Sequence, residues 1–300
     1  MRRISSTVLI ILTIFATSAP AAARHPRMDP RHPWLYVAGL SHNAIDIYDL
    51  GIFGAPQIGQ ITKGVRDAFG ICLDTTGRLY VVNQRAPQSK VGDVAIYSPG
   101  ATSPSLTLTQ ELTDPQSVAV AANGDVYVAN RGKASGIAVF PAGQATLSNY
   151  ITSPLIKKPI QDFFDASGDL YFSDPLTGVS VIPAGTDSPV SLGLQGLTQA
   201  TGIALDPLNG NLFVDDYNGE GAYQMLVYAP GSTSPSRRPL DQHAGYFLTM
   251  GRIGTTEFLF DPAYFSNQIY VYKHDGNLPY TVLTVGQNAD AVAFKPAGIP

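Results

Sequence analysis

Short apolar segments alternate with polar, glycine-rich turns along the chain, and six of these segments recur at nearly regular spacing. They are the tripeptides at 35–37, 79–81, 126–128, 170–172, 212–214 and 258–260, which read LYV, LYV, VYV, LYF, LFV and FLF. Their central residues lie 44, 47, 44, 42 and 46 positions apart. Each tripeptide combines aromatic and branched apolar residues, which favour β-strands. The pattern predicts six repeated units, each built on a central strand.

Each unit carries further strands on both sides of its central segment. Upstream lie GICLD (70–74), SVAVA (117–121), DFFDA (162–166), GIALD (202–206) and YFLTM (246–250), which predict a first strand. Downstream lie AIDIY, DVAIY, GIAVF, GVSVI, QMLVY and QIYVY, which predict a third. The Ser/Thr/Pro-rich stretches that follow predict a weaker fourth strand, because proline and serine suit an outer edge. We find no helical periodicity after residue 23.

Six units of 42 to 47 residues predict an all-β fold, a six-bladed β-propeller with four-stranded antiparallel blades, over residues 34–300. The chain enters this region on a second strand, WLYVAG, and ends on a first strand, ADAVAFKPAG at 289–298. We therefore expect the C-terminal strand to join the N-terminal blade and close the ring. A pair of β-sandwiches is the alternative fold, and the regular spacing argues against it.

The first 23 residues differ from the rest. Two arginines, an apolar run from Thr7 to Ala16 and an Ala-x-Ala site at 21–23 predict a secretory signal peptide. Residues 24–33 are polar and proline-broken, which predicts a disordered lead, and His25 and His32 within it are expected to be ordinary surface residues. No later stretch is apolar for the roughly 20 residues that a membrane span needs. We expect an exported protein, periplasmic or extracellular, without a membrane span after signal cleavage.

Charge and cysteine content narrow the classes of function. The signal peptide holds two of the 19 basic residues and none of the 23 acidic ones, which leaves 17 minus 23, a net charge of about −6. This balance argues against a nucleic-acid partner. Cys72 is the single cysteine, so the chain forms no internal disulfide, and its apolar strand predicts an inert, packed thiol. We expect the chain to act as a monomer.

The units PQSVAVAANGDVYVAN…GIAVF and ATGIALDPLNGNLFVDDYN resemble NHL repeats, and more loosely the YVTN class of propeller repeats. The resemblance covers essentially the whole chain after the signal peptide. It implies that the first strand of each blade lines the central channel. The glycine turns between first and second strands would then share one face, here called the turn face. Loops after the second strands and loops leading into the first strands would share the other, the loop face, where such propellers place a ligand.

Eleven polar residues are candidates for that loop face. They are His42, Asn83, Arg85, Asn130, Arg131, Asp162, Asp174, Asp215, Asp216, His243 and Asp290. Asn and Asp just after a strand also hold turns through their own side chains, and for Asn83, Asn130, Asp174 and Asp216 we favour this structural role.

The blade layout also resembles the gluconolactonase and regucalcin-like enzymes, which hold a divalent metal with acidic and amide side chains. The matching positions here are Phe69, Gln116, Ile160, Thr201 and Asp290, and the sixth unit does not align. One carboxylate and one amide fall short of the six or so oxygen ligands that a hard cation takes. A displaced metal site that uses Asp162 and Asp290 with Asn130 remains a hypothesis.

Other propeller enzymes match less well. Virginiamycin B lyase uses a metal and a histidine base, and only His42 and His243 lie on the plausible face of this chain. Propeller amidating lyases use histidine-rich zinc sites, which five scattered histidines do not supply. The sequence contains no G-x-S-x-G, H-E-x-x-H, C-x-x-C or G-x-x-x-x-G-K motif.

Two hypotheses of function follow. The first is a non-catalytic exported propeller that needs no cofactor and binds a protein, peptide or glycan on its loop face, where the loops at 132–136 and 217–223 differ in length and character. The second is a metal-dependent hydrolase or lyase that uses a divalent cation and acts on a small lactone or ester.

Metal content separates the two hypotheses. The test is metal analysis of purified residues 24–300, with thermal unfolding in the presence and absence of a chelator. The binding module should carry no stoichiometric metal and keep its melting temperature. A stoichiometric divalent ion, with a clear loss of stability on chelation, would favour the enzyme and make Asp162→Ala and Asp290→Ala the next variants.

Overall fold

The computed structural model describes residues 29–84, 91–132, 134–218, 223–239, 243, 245–264 and 266–298. Six antiparallel sheets follow one another along these residues and form a six-bladed β-propeller, as the repeat spacing predicts. The described residues contain no helix, and so none long and apolar enough to cross a membrane. The predicted signal peptide at 1–23 and the candidate Arg85 lie outside the described residues.

The blades are built from 23 strands, numbered in chain order. Blade 1 holds β1 (Trp34–Ala38), β2 (Ile45–Asp49) and β3 (Gln57–Ile61), with β23 (Ala291–Lys295) on the channel side of β1. Blade 2 holds β4 (Ala68–Leu73), β5 (Leu79–Asn83), β6 (Asp93–Tyr97) and β7 (Leu106–Leu108). Blade 3 holds β8 (Pro115–Val120), β9 (Val126–Asn130), β10 (Gly136–Phe140) and β11 (Asn149–Ile151).

Blades 4 to 6 continue in the same order, from the channel outward. Blade 4 holds β12 (Asp162–Phe164), β13 (Leu170–Asp174), β14 (Gly178–Ile182) and β15 (Val190–Ser191). Blade 5 holds β16 (Ala200–Leu205), β17 (Leu212–Tyr217) and β18 (Tyr223–Tyr228). Blade 6 holds β19 (Thr249–Ile253), β20 (Thr256–Pro262), β21 (Gln268–Lys273) and β22 (Thr281–Thr284).

The hydrophobic core is divided into six layers, one between each pair of neighbouring blades. Tyr80 and Ile96 of blade 2, for example, cluster with Val128 and Phe140 of blade 3. The central strands are buried on both faces because each blade is covered by a neighbour on either side. This explains why the six tripeptides are continuous apolar runs, whereas the outer strands β15 and β22 are largely exposed and rich in serine or threonine.

The ring closes within blade 1. β23 pairs antiparallel with β1 over five positions, from Trp34 opposite Lys295 to Ala38 opposite Ala291. Leu35 and Val292, on the two paired strands, pack in one cluster with Phe260 of blade 6. The predicted closure of the N-terminal blade by the C-terminal strand is therefore confirmed. On the same side, Pro30 accepts a hydrogen bond from the Gly298 amide at 2.7 Å, so the described part of the 24–33 segment packs against blade 1.

Blade 5 departs from the predicted four-stranded pattern. Its outermost position is a single bridge between Val227 and Arg237 rather than a strand. The segment around the bridge reads STSPSRRP, and proline at 235 and 239 removes amide donors from a ladder. Instead, the Arg237 guanidinium donates to the carbonyl oxygens of His274 and Gly276 in blade 6, at 2.8 and 3.1 Å. These side-chain hydrogen bonds hold the outer segment of blade 5, whereas backbone hydrogen bonds hold the outer strands of the other blades.

The first strand of blade 6 begins three residues later than the segment 246–250 predicts. β19 starts at Thr249 because the two residues before it have other contacts. Phe247 is buried against Phe69 of blade 2, and the backbone of Leu248 bonds to the Gln161 side chain at 2.8 and 3.0 Å. The predicted first strand was therefore misplaced, because Phe247 and Leu248 make contacts in the channel and precede the strand pairing of blade 6.

Removing β23 tests the ring closure. A chain that ends at residue 288 leaves β1 without its inner partner, and burial of a side chain such as Val292 or Leu35 contributes about 1.5–3 kcal/mol. Because a whole domain is stable by only about 5–15 kcal/mol, we expect the shortened chain to lose its cooperative unfolding transition in urea. A chain that ends at residue 296 keeps β23 and should unfold like the full chain. An unchanged midpoint after the first truncation would contradict the closure.

Candidate functional site

Apolar side chains close the loop-face end of the central channel. Phe69 of blade 2, Ile160 of blade 4 and Phe247 of blade 6 are buried in one cluster, here called the channel plug. The rings of Phe69 and Phe247 meet edge to face, with centroids 4.9 Å apart. Tyr246 and Tyr264 pack on Phe69 at 6.0 and 6.2 Å. Residues from blades on different sides of the axis therefore meet over the channel.

The strand register now places the sixth unit, which the sequence alone does not align. Gly251 pairs with Phe258 in blade 6, and Leu73 pairs with Leu79 at the same point of blade 2. Phe247 lies four residues before Gly251, and Phe69 lies four residues before Leu73, so the two phenylalanines occupy equivalent positions. The positions that the resemblance to lactonase-like enzymes matches are therefore Phe69, Gln116, Ile160, Thr201, Phe247 and Asp290. Three of these six side chains form the channel plug.

The polar members of that set bond to the fold itself. The Gln116 amide donates to the Asp114 carboxylate at 2.9 Å, and the Thr201 hydroxyl donates to the Gly245 carbonyl at 2.7 Å. The Asp290 carboxylate accepts the Leu40 amide at 2.5 Å. These contacts tie neighbouring segments together around the plug.

Four tyrosines of blades 5 and 6 lie on the loop face, two of them packed on the plug, and form what we call the tyrosine rim. Tyr217 and Tyr223 are cross-strand partners of blade 5 whose rings stack at 5.0 Å, and Tyr246 and Tyr264 of blade 6 lie 4.4 Å apart. All four are partly exposed. Burial raises the pKa of Tyr264 to about 12, and the nearby charge of Arg131 opposes this shift. The same arginine acts on the pKa of Tyr246, so it lies within electrostatic reach of both rings.

Four candidates share one structural role, which we call the latch. In blades 2 to 5 the last Asn or Asp of the second strand accepts hydrogen bonds from the loop that leads into the same blade. Asn83 accepts the Arg66 amide at 2.8 Å, Asn130 the Asp114 amide at 2.9 Å, Asp174 the Lys157 and Lys158 amides at 2.7 and 2.6 Å, and Asp216 the Thr198 and Gln199 amides at 2.7 Å. This agrees with the structural role that their positions after strands indicate.

The two histidine candidates lie apart and each pairs with an aspartate. His42 is exposed, and its Nε2 atom lies 3.8 Å from the Asp46 carboxylate. His243 is mostly buried, with Nε2 2.8 Å from the Asp261 carboxylate and its ring stacked on Tyr270 at 4.0 Å. Each histidine is thus paired with an aspartate of its own blade.

The acids proposed for a displaced metal site lie on opposite blades. Asp290 leads into the first strand of blade 1, whereas Asp162 begins the first strand of blade 4, three blades away in a ring of six. The amide of Asn130 is engaged by the Glu111 carbonyl and the Tyr150 hydroxyl at 2.9 and 2.8 Å. Among the described residues, no three His, Cys, Asp or Glu side chains group as metal ligands would. The Asp162 carboxyl and the Asn130 amide thus each have partners within the fold, and the metal hypothesis keeps its solution test.

Asp215 has a different environment from the latch residue beside it. It is buried next to Gly245, where a Cβ atom would lie 1.9 Å from its Oδ2 atom. Any side chain at position 245 would therefore clash with this carboxylate. Asp215 thus contributes to the close packing between blades 5 and 6.

Comparison with known proteins identifies the fold. No known protein family matches the sequence, and no curated protein matches it. Among solved structures, the chain is similar to one chain in a crystal structure of a nidogen/laminin complex, with a TM-score of 0.69 and 13% sequence identity. The match covers 89% of this chain and 99% of that chain. At this identity the similarity shows a shared propeller fold.

Substitution of a latch residue tests its structural role. Asp174→Ala leaves the Lys157 and Lys158 amides without their acceptor, and hydrogen bonds to a charged group contribute about 1.5–3 kcal/mol. We expect the free energy of unfolding in urea to fall by about 2 kcal/mol or more.

Two variants calibrate this measurement. Asp174→Asn should lose less stability than Asp174→Ala, because its amide oxygen can still accept the Lys157 and Lys158 amides, while the Leu176 amide loses the other carboxylate oxygen. Asp275→Ala, at an exposed aspartate in blade 6, should change the stability by less than about 0.5 kcal/mol. If Asp174→Ala cost no more than this exposed control, the latch would not be structural.

Proposed function

We propose that this chain is an exported, non-catalytic binding module that takes a protein, peptide or glycan ligand on its loop face, in the manner of NHL-like propellers. The tyrosine rim is the observation that carries the proposal. It lies beside the channel plug, at the face that the family resemblance assigns to ligands. Beneath it, Phe69, Ile160 and Phe247 fill three of the six positions that the resemblance to lactonase-like enzymes relates to a metal site.

The rim suits recognition because its rings are held in place before a ligand arrives. Tyr217 stacks on Tyr223, and Tyr246 packs on Tyr264 and on buried Phe69. Tyrosine offers a flat apolar face and a hydroxyl at a low entropic cost, and it is enriched among the residues that dominate binding energy. A rigid set of such rings can stack on a sugar ring or on a peptide side chain.

Arg131 adds a positive charge to one side of the rim. Its side chain is exposed, and its nearest acidic partner, the Asp114 carboxylate, is 3.6 Å from Nε. Surface pairs of this kind contribute little and are easily exchanged. The guanidinium can therefore turn to a carboxylate or hydroxyl of a ligand that lies on the tyrosines.

The similar solved structure is in keeping with this role, since it is a protein complex, of nidogen with laminin. The loop lengths of the present chain also fit a recognition surface. The loop between β17 and β18 separates two of the rim tyrosines, and loops on a rigid scaffold are the usual place of binding residues.

The proposal is tested with two defined probe sets, a random peptide library on phage and an array of immobilised glycans. We expect the purified protein to select a reproducible set of peptides or glycans. Tyr246→Ala and Arg131→Ala should each weaken these ligands at least tenfold, since residues that dominate an interface contribute about 2 kcal/mol or more.

Tyr280→Ala is the matched control. This tyrosine is 62% exposed but lies on the outer part of blade 6, next to β22. Its removal should leave binding unchanged, and all three variants should keep the far-ultraviolet circular dichroism of the parent. Selected ligands that bind the rim variants and the control equally would overturn the proposal, as would the absence of any selected ligand.

A further inference from the structure

The channel below the plug is hollow. A cavity of about 230 Å³ lies on the axis and is lined by the first strands of all six blades. Its residues near the plug, such as Gln161 and Leu248, are buried, whereas Leu73, Leu205 and Phe294 at the other end are partly exposed. The cavity is therefore a funnel that narrows towards the plug and opens on the turn face, opposite the tyrosine rim. We call it the turn-face funnel.

A single carboxyl group lies deep in this funnel. Asp162 is 4% exposed and lines the cavity beside Ser117. Its Oδ1 atom accepts the Ser117 hydroxyl, which in turn accepts the Asp162 amide at 2.8 Å. The Oδ2 atom is buried and has no hydrogen-bond partner. A buried carboxyl oxygen without a partner is costly, so it marks a place where a ligand donor would be stabilised.

No positive charge in the lining of the funnel compensates this carboxyl. The 18 residues that line the funnel, all of them described, include no lysine, arginine or histidine. The Gln161 side chain is already engaged in hydrogen bonds elsewhere. Its oxygen accepts the Ile203 and Leu248 amides, and its nitrogen donates to the Leu248 carbonyl. The Cys72 thiol is the other acid in the lining, and burial, followed by the Asp162 charge, raises its pKa well above the usual value. It stays neutral near pH 7.

We propose that the turn-face funnel binds a small organic cation, with a primary ammonium group on Oδ2 of Asp162 and an apolar body against the lining. The body would lie along Cys72, Phe163, Met250 and Phe294, which line the cavity between the carboxyl and its opening. The cavity of about 230 Å³ leaves room for a short alkyl chain with its ammonium group.

Other ligand classes fit the funnel less well. A hard divalent cation takes about six oxygen ligands, and the lining offers one carboxylate and few other free oxygens. An anion would meet the Asp162 carboxylate with no cation to offset it. A neutral molecule of the same shape would gain the apolar contacts but would leave the carboxylate charge uncompensated. An ammonium group supplies both the donors and the charge that the site lacks.

Protonation of Asp162 couples this binding to pH. Burial raises the pKa of the carboxyl to about 7, and hydrogen bonds from Ser117 and nearby amides oppose the shift. In the free, folded protein the Asp162 carboxyl therefore keeps its proton between about pH 4 and 7. The unfolded chain has lost the same proton in this range, so the contribution of Asp162 to stability falls as the pH rises from 4 to 7. Ammonium binding needs the carboxylate, so it releases a proton below pH 7 and none well above it.

The test is isothermal titration calorimetry of the purified protein with n-hexylammonium chloride at pH 8. We expect one binding site, and affinity about tenfold weaker at pH 6 than at pH 8, because only about a tenth of the carboxyl is ionised one unit below its pKa. Buffers with different ionisation enthalpies should report close to one proton released per ligand at pH 6 and close to none at pH 8.

Variants and a neutral analogue locate the effect. Asp162→Asn keeps the shape but removes the charge, and should weaken hexylammonium at least tenfold. It should bind 1-hexanol as the parent does. Asp275→Asn removes an exposed negative charge on the same face and should leave the affinity unchanged, which separates a local contact from long-range attraction.

Several outcomes would overturn the proposal. They are equal hexylammonium affinity in Asp162→Asn and the parent, equal affinity for hexylammonium and 1-hexanol, or no binding between pH 6 and 8. If Asp162→Asn failed to fold, proton release and pH dependence in the parent protein would still decide. The tyrosine rim takes no part in this experiment, so its result is independent of the function proposed for the loop face.

Discussion

The pairing of β1 with β23 is the interaction on which the rest of the molecule depends. Six blades form a ring only if the last meets the first. Five paired positions of blade 1 provide that meeting, from Trp34 to Ala38. Because each hydrophobic layer lies between two blades, opening one junction exposes the apolar faces on both sides of it. The ring is therefore stabilised as a unit.

Ring geometry also explains why so few side chains define the axis. Side chains of the first strands point mainly into the layers between blades, so only a few positions, at the start of each strand or just before it and a few residues later, reach the centre. Phe69, Ile160 and Phe247 use the position nearest the loop face for packing, and Asp162, two residues after Ile160, uses its position for a carboxyl group. The chemistry of the channel is thus decided by a handful of residues, while the other positions maintain the repeat.

The blades could be predicted from local sequence patterns. The side chains on the channel axis could not, because no local pattern marks them. Apolar runs and their spacing locate every second and third strand, because burial between blades imposes the same pattern six times. The plug was not predictable, since Phe69 and Phe247 are distant in sequence and the sixth unit carries no recognisable turn. Asp162 was a sequence candidate, but its neighbour Ser117 was missed because it belongs to another blade. The missing outer strand of blade 5 depends on one arginine contact, which no repeat pattern encodes.

The channel plug closes the central channel at the loop face and leaves it open only at the turn face. A solute that enters from the turn face must leave by the same mouth, so its residence time is set by one passage, and nothing can flow through the ring. The two faces are also isolated from each other by a layer of packed rings and an isoleucine. Occupants of the two sides would not compete for space, and one molecule could hold both at once.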